Sequence, residues 1–358
     1  MLSPPFDAPR LTGFKLVRPA HQVTQSDSIA WLAHAHAEAE SARSEDETFD
    51  VERFRARLES LLRRVGCTPK DIGARGHEVP DCAHRRWDEM RIYDVTRRPN
   101  GAGARARTEL FAQIAESAIE RLYAEESDPP RDLIHVTCTG YASPSAAQKL
   151  VASRGWGAHT RVTHAYHMGC YAALPAIRIA SGFVASTTDR AARADIVHSE
   201  VCSLHLHPAE HSPEQLAVQT LFGDGHIRYS VVRDSPAPSF AVLATREEIF
   251  PDSAEAIAWI AADNGMLMTL ARDVPKRIAR TVRAFVSALY ASAALRCSSL
   301  SAGPATAQCG SAVAASRARS IQLRPIAARM LAAPAVRTSA CVAGSGPGAS
   351  APSSASMR

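Results

Sequence analysis

One stretch constrains the fold more than any other: His164-Ala-Tyr-His-Met-Gly-Cys-Tyr-Ala-Ala-Leu-Pro-Ala-Ile-Arg-Ile-Ala-Ser-Gly182. A polar, histidine-bearing run enters Gly169-Cys170, and an apolar stretch follows. Tyr171, Leu174, Ile177 and Arg178 recur at i, i+3, i+6 and i+7 with alanines between them. That pattern predicts a helix buried on most sides. Pro175 falls near its first turn, where a missing N–H costs little. Cys170 is then expected at or next to the helix N-terminus, where orphan N–H groups and the positive dipole end favour a thiolate. A free cysteine in apolar surroundings is more often a small core residue. The nucleophile reading therefore needs support from the rest of the chain.

The surrounding pattern is α/β. Residues 11–17 read as a first strand closed by Pro19, and Ser26 or Asp27 can cap a helix running to about residue 43. A second helix over about 50–65 places Val51, Phe54, Leu58, Leu61 and Leu62 on one face. A loop over 99–106 precedes an amphipathic helix at 107–125. Leu133-Ile-His-Val-Thr-Cys138 is a short β run entering a Gly-Tyr-Ala-Ser-Pro loop, and 193–201 and 226–233 are further β stretches. Strand, loop, helix and then a cysteine at the next helix start is an α/β arrangement, and strand ends are where such folds place functional residues.

At 358 residues the chain exceeds one simple core and suggests two domains or halves. The net charge of +5 misleads, because every acidic residue lies at or before Asp273 and the body up to that point is net acidic. Nucleic-acid binding is not indicated. The eight cysteines form no Cys-x-x-Cys pair, so neither a disulfide framework nor a zinc site is expected. No charged n-region with an apolar run opens the chain, and no stretch of 18 apolar residues occurs. A reducing cytoplasm is the expected location.

Several other residues invite a chemical reading. Arg85 and Arg86 beside Trp87 can hold a phosphate and stack on a base, or form a solvated basic turn. Thr139 can line a pocket, or bond to backbone as a strand-end hydroxyl. Cys202, His205, His207 and His211 fall within ten residues, but tetrahedral zinc sites rarely use such spacing without cysteine pairs, so no metal is expected. Phe222 stands beside the tight glycine turn of Leu221-Phe-Gly-Asp-Gly225, where an aromatic is normally plain core.

Gly169-Cys-Tyr-Ala-Ala173 resembles the nucleophile segment of the type III polyketide synthases, the chalcone and stilbene synthase-like family, here of bacterial type. Val136-Thr-Cys-Thr-Gly-Tyr-Ala-Ser-Pro-Ser145 resembles the strand and loop that the family places about thirty residues upstream of its cysteine. Leu221–Gly225, Pro251-Asp-Ser253 and Arg272-Asp-Val-Pro275 fall in register with similar family strings. The resemblance spans roughly residues 8–290.

It implies a thiolase-like α/β fold of two similar αβα halves. The chain then divides into an N-terminal half (1–230), the start of a C-terminal half (231–290) and a tail (291–358). It also implies an acyltransferase without metal or redox cofactor, acting as a homodimer on an acyl-CoA starter and malonyl-CoA. Cys170 takes the acyl group as a thioester. Malonyl-CoA loses CO2, and the resulting enolate attacks that thioester. By the same resemblance Phe222 guards the junction of a coenzyme A tunnel and the cavity. Met268 falls on a second gate position. His205 and Trp259 fall on the cavity wall, Thr139 lines the pocket, and Arg85 and Arg86 are candidates for the coenzyme A phosphates. The position of Trp259 is glycine in chalcone synthases, so a chalcone-like product is not expected.

From about residue 291 the pattern fails. The tail holds no Asp, Glu, Lys, His, Asn, Phe, Trp or Tyr, and such a composition reads as disordered. The family draws a His from a His-Pro-Gly-Gly string and an Asn from a Gly-Asn-Met-Ser string here, whereas the last His of this chain is His226 and the last Asn is Asn264. A slip of reading frame near residue 290 is the expected cause, and a natural low-complexity tail on a diverged protein is the competing one. Those two side chains donate hydrogen bonds to the enolate oxygen, and losing one such donor typically costs about 10²–10³ in rate. His164 and His167, on the approach to Cys170, are not expected to replace them. Condensation is therefore expected to be absent or very low. The competing expectations are a non-catalytic acyl-CoA-binding relative and an acyl-carrier-protein-dependent 3-oxoacyl synthase III-like ketosynthase.

Overall fold

The computed structural model describes residues 8–300 and 336–345, with side chains through residue 293. In chain order the elements are β1 (Arg10–Val17), β2 (His21–Thr24), α1 (Gln25–Ser41), α2 (Val51–Val65), β3 (Ala74–His77), α3 (Ala104–Leu122), β4 (Asp132–Thr137) and α4 (Ala146–Ser153). They continue with β5 (Arg161–Tyr166), α5 (Ala173–Ala185), β6 (Ala194–Glu200), α6 (Pro213–Gln219), β7 (Gly225–Val232), β8 (Ser239–Ile249), β9 (Ile257–Ala262), β10 (Gly265–Leu270), α7 (Val274–Leu300) and β11 (Val336–Ser345). Seven strands form one sheet in the order β11-β8-β1-β7-β6-β4-β5. β4 runs parallel to β5 and β6, and the other pairings are antiparallel.

β4 shows why this sheet is a central layer. Every one of its residues is buried, so it cannot alternate apolar and polar as a half-exposed strand does. Leu133 joins a core with Leu32, Leu62, Phe111 and Ile119, built from α1, α2 and α3. Its neighbours Ile134 and Val136 join a second core with Ala176, Ala180 and Val184 of α5. Helices therefore cover both faces, and each large side chain buried between them is worth roughly 1.5–3 kcal/mol. A smaller core of Val218, Ile257, Met268, Val274 and Ile278 seats the β9–β10 hairpin against α6 and α7.

Three expectations need adjustment. The cap of α1 is Thr24, not Ser26 or Asp27: its hydroxyl accepts from the Asp27 N–H, and β2 ends there. α5 is buried along one side only, because Arg178 and Gly182 face outward and Arg178 pairs with Glu247. Helix α7 runs past residue 291 to Leu300, and residues 336–345 pair antiparallel with β8. The family's two absent strings would fall in the region that includes 301–335, outside the described residues. No helix among the described residues is long and apolar enough to cross a membrane.

Candidate active site

The ends of β4, β5 and β6 converge on the turn that carries Cys170. Beyond β5 the backbone enters the left-handed region twice, at His167 (φ 57°) and Gly169 (φ 88°). Glycine adopts this conformation freely, whereas at a histidine it costs about 1–2 kcal/mol. The turn is held to the β4 end. The His167 N–H donates to the Thr137 carbonyl (2.8 Å), and the Gly169 N–H donates to Cys138 Sγ (3.0 Å). Cys170 sits in the turn just before α5, which begins at Ala173 without a side-chain cap.

Cys170 is exposed. The protein packed around its thiol nevertheless raises the pKa, and the Glu200 carboxylate adds to the effect. This is the reverse of the thiolate expected from a helix N-terminus. The physical reason is that burial disfavours the thiolate, α5 starts three residues later, and the charge that acts on the thiol, that of Glu200, is negative.

Glu200 closes β6 and is the hub of the cluster. Its two oxygens accept from the Cys138 N–H at 3.0 and 3.1 Å. One of them also accepts from the hydroxyls of Thr139 (2.7 Å) and Thr137 (3.3 Å). Burial pushes its pKa up to about 7 against those hydrogen bonds. The Cys138 thiol is pushed up to about 12 by burial and by Glu200, and the Cys202 thiol is raised further by burial.

The β9–β10 hairpin is fastened to the same strand end. Trp259 Nε1–H donates to the Cys138 carbonyl (2.6 Å), and His205 Nε2 bonds to the Thr139 carbonyl (2.8 Å). His205 Nδ1 accepts from the Met266 N–H (3.0 Å), which fixes the neutral tautomer with its proton on Nε2. Burial drives the His205 pKa down to about 3. The His205 and Trp259 rings meet edge to face at 5.5 Å. Met268 is the cross-strand partner of Trp259.

Thr139, His205 and Trp259 are thus gathered at the β4 end that also holds the Cys170 turn, whereas Met268 packs in the smaller core with Val218 and Val274. The Thr139 hydroxyl is committed to Glu200 and to the Val201 N–H (2.9 Å). Both ring nitrogens of His205 are committed to backbone, and His207 Nε2 bonds to the Met266 carbonyl (2.8 Å). Among the described residues no group of three His, Cys, Asp or Glu side chains is arranged to hold a metal ion.

Phe222 is partly exposed, and its carbonyl accepts from Arg75 (2.9 Å). Asp224 pins this turn, taking the Glu78 N–H (2.6 Å) and the Ser203 N–H (2.8 Å). Its pKa is raised to about 6 by burial. Arg85 and Arg86 lie exposed on the surface, and Arg86 pairs with Glu89 at 2.6 Å. Among the described residues nothing ties them to the Cys170 turn. His164 stacks on Tyr166 at 4.8 Å, and His167 packs against Tyr141 at 5.6 Å.

A groove of about 520 Å³ opens between α2, α6 and the start of α7. It is lined by Arg64, Glu214, Leu221, Leu270, Arg272 and Val274, among others. Its wall therefore adjoins Phe222 on one side and the β10 strand of Met268 on the other. Sequence reasoning missed Arg64, Arg272 and Glu200. Arg272 lay within a quoted string, but nothing in that string marks it as facing a groove.

Residues 103–234 match the N-terminal domain of chalcone and stilbene synthases. The chain is 29% identical over 169 residues to the 1,3,6,8-tetrahydroxynaphthalene synthase of Streptomyces griseus, a match covering 47% of this chain and 45% of that protein. It thus spans less than half the length of that relative. Solved structures of type III polyketide synthases share the fold. The C-terminal type III polyketide synthase domain of a type I/III hybrid from Dictyostelium superposes with a TM-score of 0.63 at 17% identity, over 81% of this chain and 75% of that one. The 1,3,6,8-tetrahydroxynaphthalene synthase of Streptomyces coelicolor gives 0.58 at 20% identity, over 77% and 71%. These likenesses establish the thiolase-like α/β fold. They include a slime mould as well as bacteria, so they do not single out a bacterial branch.

Proposed function

We propose that the chain, whose residues 103–234 match the N-terminal domain of chalcone and stilbene synthases, is a relative of the type III polyketide synthases and that Cys170 is its acyl acceptor. In this reading the thiol loses its proton, and the sulfur attacks the carbonyl of an acyl-CoA starter. Coenzyme A leaves as the thiol. Malonyl-CoA then gives CO2 and an enolate, whose carbon displaces the sulfur and lengthens the chain by two carbons. The observation that carries the reading is the anchoring of the Cys170 turn, by backbone and by Cys138 Sγ, to a strand end where Thr139, His205 and Trp259 also converge.

The groove beside Phe222 and β10 suits a coenzyme A thioester better than the Arg85–Arg86 turn does. Arg64 and Arg272 offer cations for phosphates, and Leu221, Leu270 and Val274 offer apolar wall. The segments 1–230, 231–290 and 291–358 are proposed as the N-terminal half, the start of the C-terminal half and the tail. A homodimer in a reducing cytoplasm completes the reading, with the partly exposed edge strand β5 available for pairing with a second copy.

One observation favours the non-catalytic alternative. The charged neighbour that acts on the Cys170 thiol is the Glu200 carboxylate, which opposes ionisation. The family's His and Asn strings are absent from the sequence. Acyl-CoA binding without appreciable condensation is the expected behaviour. The test supplies the purified protein with an acyl-CoA and labelled malonyl-CoA. Label in CO2 and in elongated products should stay near background, and triketide products would overturn the inactivity. Reading the coding DNA across codons 285–358 in all frames tests the slip. One frame should restore His-Pro-Gly-Gly followed by Gly-Asn-Met-Ser. If none does, the tail is genuine.

A further inference from the structure

Glu200 stands outside every role assigned so far, yet the geometry leads from it to the nucleophile in three contacts. Its carboxylate takes the Cys138 N–H with both oxygens, at 3.0 and 3.1 Å. Cys138 Sγ takes the Gly169 N–H at 3.0 Å. Gly169 is covalently joined to Cys170. The carboxylate is also fixed on the far side by the Thr139 hydroxyl at 2.7 Å and the Thr137 hydroxyl at 3.3 Å. Three donors, through four contacts, thus hold the acid in place.

We infer that Glu200 is a positioning residue for the Cys170 thiol: through Cys138 it holds the turn that carries the sulfur, and it sets a fixed negative charge behind that turn. The inference rests on the reading of Cys170 as the acyl acceptor. A fixed carboxylate near a thiol disfavours a second negative charge, and burial strengthens the effect by removing water. The other titratable groups coupled to this pair are Cys138, Tyr141, Tyr171, Cys202 and Asp224. None of these is cationic; of the nearby cationic and titratable groups, His167 in the same turn packs against Tyr141, and Arg178 is paired with Glu247. Thiol and acid are therefore coupled. As Glu200 takes up a proton the restraint on Cys170 is relieved, and as it ionises the restraint returns.

The experiment follows iodoacetamide alkylation of Cys170 against pH, read on the Cys170 peptide by mass spectrometry, in the full chain and in Glu200→Gln. The glutamine keeps the side chain's shape and removes its charge. The expected result is an alkylation midpoint at Cys170 lowered by about one pH unit in the variant. Glu200→Asp keeps the charge and should leave the midpoint high, which separates charge from packing. An unchanged midpoint in a folded Glu200→Gln overturns the inference. Should that variant fail to fold, the parent profile decides: an inflection in Cys170 alkylation near pH 7, where Glu200 changes charge, supports the restraint, and a single-step profile with a midpoint at or below the ordinary thiol value of about 8.5 overturns it. The readout needs no acyl transfer. An absence of thioester on Cys170 would thus sink the proposed function while leaving the Glu200 result to be read separately.

Discussion

Replacing His36 by leucine should reverse part of the protein's sensitivity to acid. His36 lies on the inner face of α1 with no accessible surface, and neither ring nitrogen makes a well-formed hydrogen bond among the described residues, although the Gln219 side chain lies beside the ring. Its ring is 5.2 Å from that of His211. Burial, with the His211 ring beside it, drives its pKa from 6.5 down to about 3. The sign follows from linkage. The unfolded chain binds a proton at this position below about pH 6.5, and the folded chain does not until about pH 3. Stability contributed by the neutral ring is therefore present above pH 6.5 and is lost as pH falls toward 3.

Each pH unit in that window costs about 1.4 kcal/mol for one proton. Between about pH 7.5 and about pH 4.5 the parent should lose about 2.7 kcal/mol that His36→Leu does not lose. The comparison must be between variant and parent. Glu200 and Asp224, whose pKa values are raised to about 7 and about 6, shift the whole curve in the opposite direction. Urea unfolding at a series of pH values, read by tryptophan fluorescence, measures the difference. Curves that stay parallel from about pH 7.5 to about pH 4.5 would refute the reasoning, because they would require His36 to titrate alike in both states.

Arg107→Met should destabilise the fold by about 3 kcal/mol in the same assay, since buried acceptors of a charged donor are left unpaired. The guanidinium is almost fully buried and donates to the carbonyls of Ala102 (2.6 Å), Asn100 (3.0 Å) and Leu206 (3.3 Å), as well as to that of Leu204. Arg64→Ala and Arg272→Ala should each weaken acyl-CoA binding by about fivefold to tenfold at low salt, as charge-assisted phosphate contacts would, measured by calorimetry. Arg85→Ala and Arg86→Ala should leave it nearly unchanged. The opposite pattern would return the coenzyme A site to the Arg85–Arg86 turn.

The fold was legible where local pattern and tertiary burial agree. β4 stood out by Leu133, Ile134 and Val136, a short β run whose apolar side chains point to both faces because both are covered. α2 stood out because one face alone meets the core. The one-sided burial of α5 was not legible. Alanines surround its larger residues, and composition cannot tell which alanine meets a sheet and which meets solvent. The Thr24 cap was missed because Ser26 and Asp27 are equally good capping residues, and the choice is made by where β2 ends.

The candidate site divides in the same way. Cys170, Thr139, Trp259 and Met268 carried a recognisable string or position. Glu200 did not: it closes a β run with no local sign that three donors from another strand end would enclose it. The charge environment of Cys170 was misread for a related reason. A helix start in sequence implies a positive dipole end, whereas the turn at residues 170–172 separates the sulfur from α5 and sets it beside a carboxylate.

The most direct measurement is the mass of the intact protein, and of its Cys170 peptide, after incubation with an acyl-CoA and no malonyl-CoA. The expected result is a slow gain of one acyl group on Cys170, with release of free coenzyme A and no label in Cys170→Ala. Failure of Cys170 to acylate, or acylation of Cys138 or Cys202 in its place, would contradict the assignment of Cys170 as the acyl acceptor.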